Sequence, residues 1–302
     1  MRIHRQRFVV VHGPDELDDR LAAADAPVDP RRDSLYTAAD LYDTASYADS
    51  LDHRAYVWSR ETQTSDAMLA RALHDEGVDD ALGAWIKGRS MVGVMGGHAV
   101  ERGQPAYTDA ARLGRLLAGR ATVATGGGPG AMEATNLGAR LSGDPDETLE
   151  EALARLAAAP SFRPSIDAWL AAARDVLSSY PGAVESLGVP TWHYGHEPPN
   201  PFATAIAKYF RNALREAILL LVCDAGIVFL PGAGGTVQEI FQDACENYYA
   251  DEADVARMVL VGRRYWTEQL PAWPLLESLA RGRPMESRIH LVDTVDEAAT
   301  LF

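Results

Sequence analysis

The stretch ATVATGGGPGAMEATNLGARL, residues 121–141, decides the fold of this 302-residue chain. An apolar run leads directly into a glycine-rich turn, and the turn leads into a segment with helical periodicity. This order is typical of a βα unit in a parallel sheet, because glycine lets a buried strand pass tightly into the next helix. A second stretch, LPGAGGTVQE at 230–239, has the same order.

Further βα units occur along the chain. Strands are predicted at 90–95, 121–125, 188–195, 225–230, 257–262 and 288–293, and helices at about 108–118, from the second glycine turn to 248, at 266–279 and at the C-terminus. Strands that alternate with helices predict an α/β protein with a Rossmann-like, doubly wound parallel sheet. Ligands of such sheets bind at the carboxyl ends of the strands.

Two regions depart from this alternation. Residues 1–88 contain one short strand signal, RFVVVH at 7–12, and otherwise resemble polar helices, so they are predicted to form a helical N-terminal extension. The Rossmann-like domain is then expected at 89–302. Within it, residues 143–181 show two helical patterns and are predicted to form a helical insert.

The composition excludes several classes of protein. A formal net charge of -15 argues against nucleic acid as a partner, since binding many phosphates needs a basic face. The two cysteines, Cys223 and Cys245, make a disulfide framework implausible. The longest apolar stretch, 217–230, is shorter than the roughly 20 residues that span a bilayer. We therefore expect a cytoplasmic protein without a membrane partner.

The glycine turns are candidate phosphate sites. Glycine permits close backbone approach, and the N–H groups at the start of the following helix attract an anion. Thr236 adds a hydroxyl in the second turn, and the glycines after the strand at 90–95 add a third edge to the same crevice. The candidate backbone ligands are Gly96, Gly97, Gly126, Gly127, Gly128, Gly130, Gly232, Gly234 and Gly235. The alternative is that each turn needs glycine only to pass from strand to helix.

The phosphate compound is narrowed by exclusion. Neither turn has the Lys-Ser/Thr pair of an ATP-binding P-loop, and the glycine spacing differs from that of dinucleotide-binding proteins, so a mononucleotide fits best. A pyridoxal enzyme is disfavoured because the only lysines are Lys87 and Lys208. No cofactor and no metal are expected. His193, His196 and Glu197 are weak evidence for a metal, and we interpret their loop as an aromatic wall for the base.

The segments GGGPGAMEATNLGA (126–139), YFRNALRE (209–216) and PGAGGTVQE (231–239) resemble the LOG (LONELY GUY) family of nucleoside 5′-monophosphate phosphoribohydrolases. The resemblance covers about 89–302. The family pattern is PGGxGTxxE, and this chain has Ala233 in place of the second glycine of that pattern. The resemblance implies hydrolysis of a nucleotide to free base and ribose 5-phosphate, with Arg215 as the required arginine. It also implies at least a homodimer whose second subunit completes the site.

The predicted catalytic residues are Glu239 and Arg215. Cleavage of an N-glycosidic bond passes through an oxocarbenium-like transition state, which a carboxylate near the ribose stabilises. Glu239 lies three residues after Thr236, so a phosphate at the start of the helix brings the ribose to this carboxylate. Arg215 either neutralises the phosphate or holds Glu239 ionised. Arg211, one helical turn earlier, is predicted to lie on the same helical face and is its candidate partner or substitute.

Other candidate substrate ligands follow the first two strands. His98 and Arg102 are placed to bind phosphate or base. Met132 and Glu133 begin the helix after the first glycine turn, where Glu133 either contacts ribose hydroxyls or only favours the helix dipole. Asn136 either binds the substrate or faces solvent. A protein that binds or senses nucleotides without cleaving them would keep the glycine turns and have no use for Glu239.

Overall fold

A computed structural model describes residues 14–193 and 197–302. Its described part contains one seven-stranded sheet in the order β4-β3-β2-β1-β5-β6-β7, and every neighbouring pair is parallel. The strands are β1 Met91–Met95, β2 Thr122–Thr125, β3 Ser186–Gly188, β4 Ala205–Ile206, β5 Gly226–Phe229, β6 Met258–Val261 and β7 Ile289–Val292. The order reverses direction at β1, so the predicted doubly wound α/β fold is confirmed.

Helices cover both faces of the sheet. They are α1 Pro14–Ala23, α2 Ala38–Leu41, α3 Leu51–Glu61, α4 Ser65–Ile86, α5 Pro105–Ala118, α6 Ala131–Arg140, α7 Asp146–Leu156, α8 Ile166–Ser179, α9 Asn212–Leu221, α10 Gly234–Tyr249, α11 Ala272–Ala280 and α12 Val295–Thr300. Alternate residues of β1 enter different hydrophobic clusters: Met91 and Met95 join one, Val92 and Val94 the other. This alternation follows from the two-residue period of a strand that is buried on both faces.

Two of the predicted elements are wrong in their bounds. The strand predicted at 188–195 ends at Gly188, because Pro190 has no N–H to continue the ladder. Residues 194 and 195 of that prediction lie outside the described residues, as does the strand signal at 7–12. The helix predicted at 266–279 is split into a π-helical turn, Tyr265–Gln269, and α11, and Pro271 separates the two.

The described part of the N-terminal extension, residues 14–88, is helical as predicted, and it shares the core of the sheet domain. Tyr36, Leu41 and Val78 belong to the same hydrophobic cluster as Met91 and Phe229. The backbone of Tyr36 also pairs with Ile206 in β4, with an N–H···O distance of 2.9 Å. The extension therefore covers the edge of the sheet and does not build a core of its own.

Lys208 links the N-terminal extension to the sheet domain through a buried ion pair. Its ammonium Nζ lies 2.5 Å from Oδ1 of Asp52 in α3, and both side chains are buried. Trp192 donates its indole N–H to the same carboxylate at 2.9 Å. Burial lowers the pKa of Lys208, while Asp52 opposes that shift. The lysine is thus held in a structural ion pair between α3 and the loop before α9.

The long apolar stretch at 217–230 is divided between the end of α9 and the whole of β5. Among the described residues, no helix combines the length and the hydrophobicity that a membrane crossing requires. Cys223 is buried behind β1 and Cys245 is exposed on α10, and both are free thiols. The two cysteines therefore differ in their environment, although the sequence placed both in apolar or helical segments.

Candidate functional site

Three loops meet where the carboxyl ends of β1, β2 and β5 lie side by side. The backbone of Gly97, after β1, joins the other two loops: its N–H donates to the carbonyl of Pro231 at 3.3 Å, and its carbonyl accepts from Ala131 N–H at 3.2 Å. The sequence anticipated three glycine-lined edges on one crevice, and the structure brings them together. This is the topological switch point, where sheets of this class bind ligands.

The turn after β2 is buried and closely packed. Gly127 and Gly130 have φ values of 69° and 74°, a conformation that favours glycine. A Cβ on Gly130 would lie 2.7 Å from the carbonyl oxygen of Gly97. The N–H of Gly127 donates to the hydroxyl of Thr125 at 3.0 Å, and that of Ala131 donates to the carbonyl of Gly97 at 3.2 Å. Because these donors are occupied within the protein, the turn serves packing first.

The turn after β5 is open. Gly234 and Gly235 are exposed at the first turn of α10, and a Cβ on either would meet no atom within 4 Å. Within the described chain, no side chain caps this helix at Ala233. The first N–H groups of α10 and its dipole therefore face free space, which is the arrangement that binds anions. Of the two glycine turns, this one is the more accessible to an anion.

The alanine that departs from the family pattern fits its position. Ala233 has φ of −102° and ψ of −141°, so its side chain strains no left-handed backbone. The glycine that sterics require here is Gly232, since a Cβ on it would lie 2.1 Å from the hydroxyl oxygen of Thr236. The substitution at Ala233 thus leaves the shape of the turn intact.

Arg215 and Glu239 form a pair beside the open turn. Nη1 of Arg215 lies 3.6 Å from Oε1 of Glu239, and both side chains are largely buried. Arg215 also donates from Nε to the carbonyl of Val189 at 2.8 Å and from Nη2 to the carbonyl of Gly126 at 3.4 Å. It therefore ties the first glycine turn to the helix that begins with the second. This is the pairing that the sequence suggested for the two residues.

The environment of Glu239 raises its pKa to about 7. Burial is the largest cause, since a charged carboxylate loses its hydration, and the nearby Glu216 adds to the rise. Arg215 opposes both effects. A carboxyl group that titrates near neutral pH is suited to accept a proton from water.

Arg211 does not share the site of Arg215. The helix begins at Asn212, and Arg211 is its extended N-cap residue, with φ of −95° and ψ of 107°. The prediction of a common helical face is therefore wrong, since Arg211 precedes the first helical turn. Its side chain lines a separate cavity beside α3 and α4. Of the two arginines, only Arg215 contacts Glu239.

Arg102 and Glu133 form a closed pair with each other. Both side chains are 1% exposed, and Nε of Arg102 donates to Oε1 of Glu133 at 2.9 Å. The Nη1 group donates to the carbonyl of Trp169 at 3.0 Å. Their predicted contacts with phosphate and ribose are replaced by contacts within the protein. The sequence could not reveal this, because Arg102 lies in the loop before α5 and Glu133 lies in α6, 31 residues later.

Asn136 is also committed to the interior. Its amide donates to the hydroxyl of Ser186 at 3.0 Å, and its Oδ1 accepts from Thr125 and Asn200. It therefore holds β2, β3 and α6 together and neither binds substrate nor faces solvent. Met132, by contrast, lies at the first glycine turn. A Cβ added to Gly126 would be 2.8 Å from the Met132 sulfur.

A cleft of about 200 Å³ lies between the loop after β1, the turn before α6 and the helical insert. His98 and Glu197 stand at its edge, 3.8 Å apart, and Phe162 and Trp169 from the helical insert form its wall. Neither Arg215 nor Glu239 lines it. The aromatic side of this cleft thus comes from the insert, which the sequence had not connected to the loops of the crevice.

In the sequence, His193, His196 and Glu197 are only weak evidence for a metal site. His196 lies outside the described residues, and His193 borders the cavity that Arg211 lines. The described residues contain no group of three or more His, Cys, Asp or Glu side chains arranged to hold a metal ion.

Comparisons with known proteins give a weak structural likeness. No family model and no curated protein matches the chain. Among solved structures, a molybdenum cofactor binding protein from Rippkaea orientalis is 16% identical over 70% of this chain and 94% of its own, with a TM-score of 0.42. A molybdenum cofactor carrier protein from Chlamydomonas reinhardtii is 18% identical with the same coverages and TM-score. At such values the likeness carries no conclusion about function.

Proposed function

We propose that this chain is a member of the LOG family that hydrolyses the N-glycosidic bond of a nucleoside 5′-monophosphate. The observation that carries the proposal is the buried Arg215–Glu239 pair, 3.6 Å apart, beside the exposed glycines at the start of α10. An anion-binding helix start and a carboxyl group of neutral pKa are the two components that this reaction needs.

The helix sets the spacing of the two components. The N–H groups of Gly234, Gly235 and Thr236 bind the 5′-phosphate. Glu239 lies three residues after Thr236, about 4.5 Å further along the helix axis, so the ribose attached to that phosphate lies over its carboxylate. Arg215 keeps the carboxylate oriented and partly offsets the effect of burial on its pKa.

The reaction consumes one water molecule. As the bond between C1′ and the base nitrogen breaks, its electron pair leaves with the base, and the ribose acquires oxocarbenium character that the Glu239 carboxylate stabilises. Water adds to C1′, and Glu239 accepts its proton and passes it to the departing base. The products are the free base and ribose 5-phosphate. The proposal includes no cofactor and no metal.

The test is to incubate the purified protein separately with AMP, GMP, CMP, UMP and a cytokinin ribotide, and to follow base release by chromatography. Release of a base together with ribose 5-phosphate supports the hydrolase. If a monophosphate binds but none is cleaved, the hydrolase proposal fails and a non-catalytic nucleotide-binding protein takes its place.

Gly235 gives a direct test of the phosphate position. We expect Gly235→Asp to weaken AMP binding about a hundredfold, because its carboxylate would occupy the anion site and repel the phosphate. Gly235→Ala is the matched control and should bind AMP within about twofold of the wild type, since the added methyl group meets no atom within 4 Å. Calorimetric titration measures both variants. Equal affinities in the two would place the phosphate elsewhere.

The proposal extends to a cytoplasmic homodimer, which the family resemblance implies. Leu221 at the end of α9 and Tyr249 at the end of α10 are 75% and 79% exposed, on the two helices that carry Arg215 and Glu239. A second copy that covered these side chains would remove their apolar surface from water, which is energetically favourable. Light scattering tests this: twice the chain mass of 32.7 kDa supports a dimer, and the single mass contradicts it.

A further inference from the structure

A second cavity, of about 340 Å³, lies between the N-terminal extension and the sheet domain. It is separate from the glycine turns. Three arginines from three elements reach it: Arg60 near the end of α3, Arg71 in α4 and Arg211 before α9. Its volume is within the range of sites for small ligands.

The arginines of this cavity stand out in an acidic protein. The chain has a net charge of -15, yet among the residues that the structure describes none of these three arginines has a carboxylate within 4.0 Å. Many other arginines of the protein are paired. Three cations that line one cavity without a direct ion pair repel one another, so a bound anion would stabilise them.

The nearby carboxylate of Asp75 is directed elsewhere. Its two oxygens accept the backbone N–H groups of Phe210 at 2.9 Å and Arg211 at 3.0 Å, and His74 lies 3.2 Å from one of them. Burial lowers the pKa of Arg71, and Arg211 lowers it further, while Asp75 opposes both. The effect of Asp75 on the pKa of Arg71 exceeds that of Arg211, so the lowering comes from burial, which an anion bound in the cavity would oppose.

The cavity is fixed on its apolar side. The rings of Trp192 and Phe210 stack with centroids 4.4 Å apart, and both side chains are buried. Arg71 lies with its guanidinium carbon 5.2 Å from the Trp58 ring centroid and donates to the carbonyl of Ser59 at 2.9 Å. These contacts hold Arg71 in place, which reduces the ordering cost of binding for this arginine.

We propose that this cavity binds a small polyphosphate anion, with Arg60, Arg71 and Arg211 as its ligands. Three guanidinium groups offer more charge than a single monophosphate needs, and their paired N–H groups suit phosphate oxygens. The anion is either free polyphosphate or the phosphate chain of a nucleotide. This inference stands independently of the proposed hydrolysis.

The test must separate two anion sites on one protein, since Arg211 and Arg215 are only four residues apart. The full chain carrying Gly235→Asp, which blocks the glycine turn, is titrated calorimetrically with inorganic pyrophosphate and with ATP. We expect binding of at least one probe to persist. Adding Arg71→Gln and Arg211→Gln should weaken that binding about a hundredfold, because two charge-assisted contacts are lost.

Arg281→Gln is the matched control, since Arg281 is exposed at the end of α11, and it should leave the affinity unchanged. Arg211→Gln alone covers the case in which the double variant fails to fold, because its side chain is exposed, and it should weaken binding about tenfold. Tighter binding of ATP than of pyrophosphate identifies a nucleotide, and the reverse identifies free polyphosphate. Failure of both probes to bind, or binding unaffected by Arg211→Gln, overturns the proposal.

Discussion

Glu239→Gln is expected to lower kcat for base release by about 10²–10⁴-fold, which is the usual contribution of a general base. Glutamine keeps the size and shape of the side chain but cannot take a proton from water or stabilise a developing oxocarbenium ion. The 5′-phosphate is held by the start of α10, so the affinity for AMP should change by about threefold or less. Single-turnover rates and calorimetric titration measure the two effects separately.

The pH profile gives Glu239 a second signature. The group must be ionised to act as a base, and its pKa is raised from the usual 4.5 to about 7. In the wild type, kcat/KM should therefore rise with pH and level off above about pH 7. In Glu239→Gln this rise in kcat/KM should disappear, because the amide side chain does not ionise in this pH range.

Glu246→Gln is the control for Glu239→Gln, since it makes the same chemical change on an exposed side chain of the same helix. It should retain the wild-type rate and profile. Wild-type turnover by Glu239→Gln would remove Glu239 from the mechanism. A parallel loss of AMP binding would make its role one of binding.

Arg102→Met is expected to destabilise the fold by about 3–5 kcal/mol, because it leaves the Glu133 carboxylate buried without its partner. Burial already raises the pKa of Glu133 above 4.5, and Arg102 is the main group that lowers it. Without Arg102 the folded-state pKa rises further. The stability loss should therefore be smallest at acid pH and grow as the pH rises above the unfolded value.

Chemical denaturation at two pH values measures this loss. Arg112→Met is the control, because its ion pair with Asp296 is exposed and should contribute no more than about 1 kcal/mol. Adding Glu133→Gln to Arg102→Met should restore part of the stability and remove the pH dependence. A cost below about 1 kcal/mol for Arg102→Met would show that the pair is not structural.

The sheet was predictable because its strands are short apolar runs that end at glycine turns, as in 121–128 and 225–235. The two-residue strand β4 was not, since two residues show no periodicity. Nor could composition reveal that the extension shares the core of the sheet. Its polar helices contribute single residues, such as Leu41 and Val78, to a cluster formed mainly by distant segments.

The site was predictable where its spacing is local. Thr236 and Glu239 share one helical turn, and the family resemblance placed Arg215 with them. Arg211 was misplaced because the start of α9 depends on tertiary contacts: Asp75, 136 residues away, binds its backbone N–H. The same limitation applies to Arg102, since the sequence gives no sign of which buried carboxylate pairs with it.

The backbone of Gly97 links the loops of the crevice, because it makes one hydrogen bond to each glycine turn. Its N–H is bound to one glycine turn and its carbonyl to the other, so neither turn can swing outward alone without breaking a hydrogen bond to the loop of the central strand. Movement of either turn alone therefore costs one hydrogen bond, about 1 kcal/mol, whereas the three loops can move together with both bonds intact.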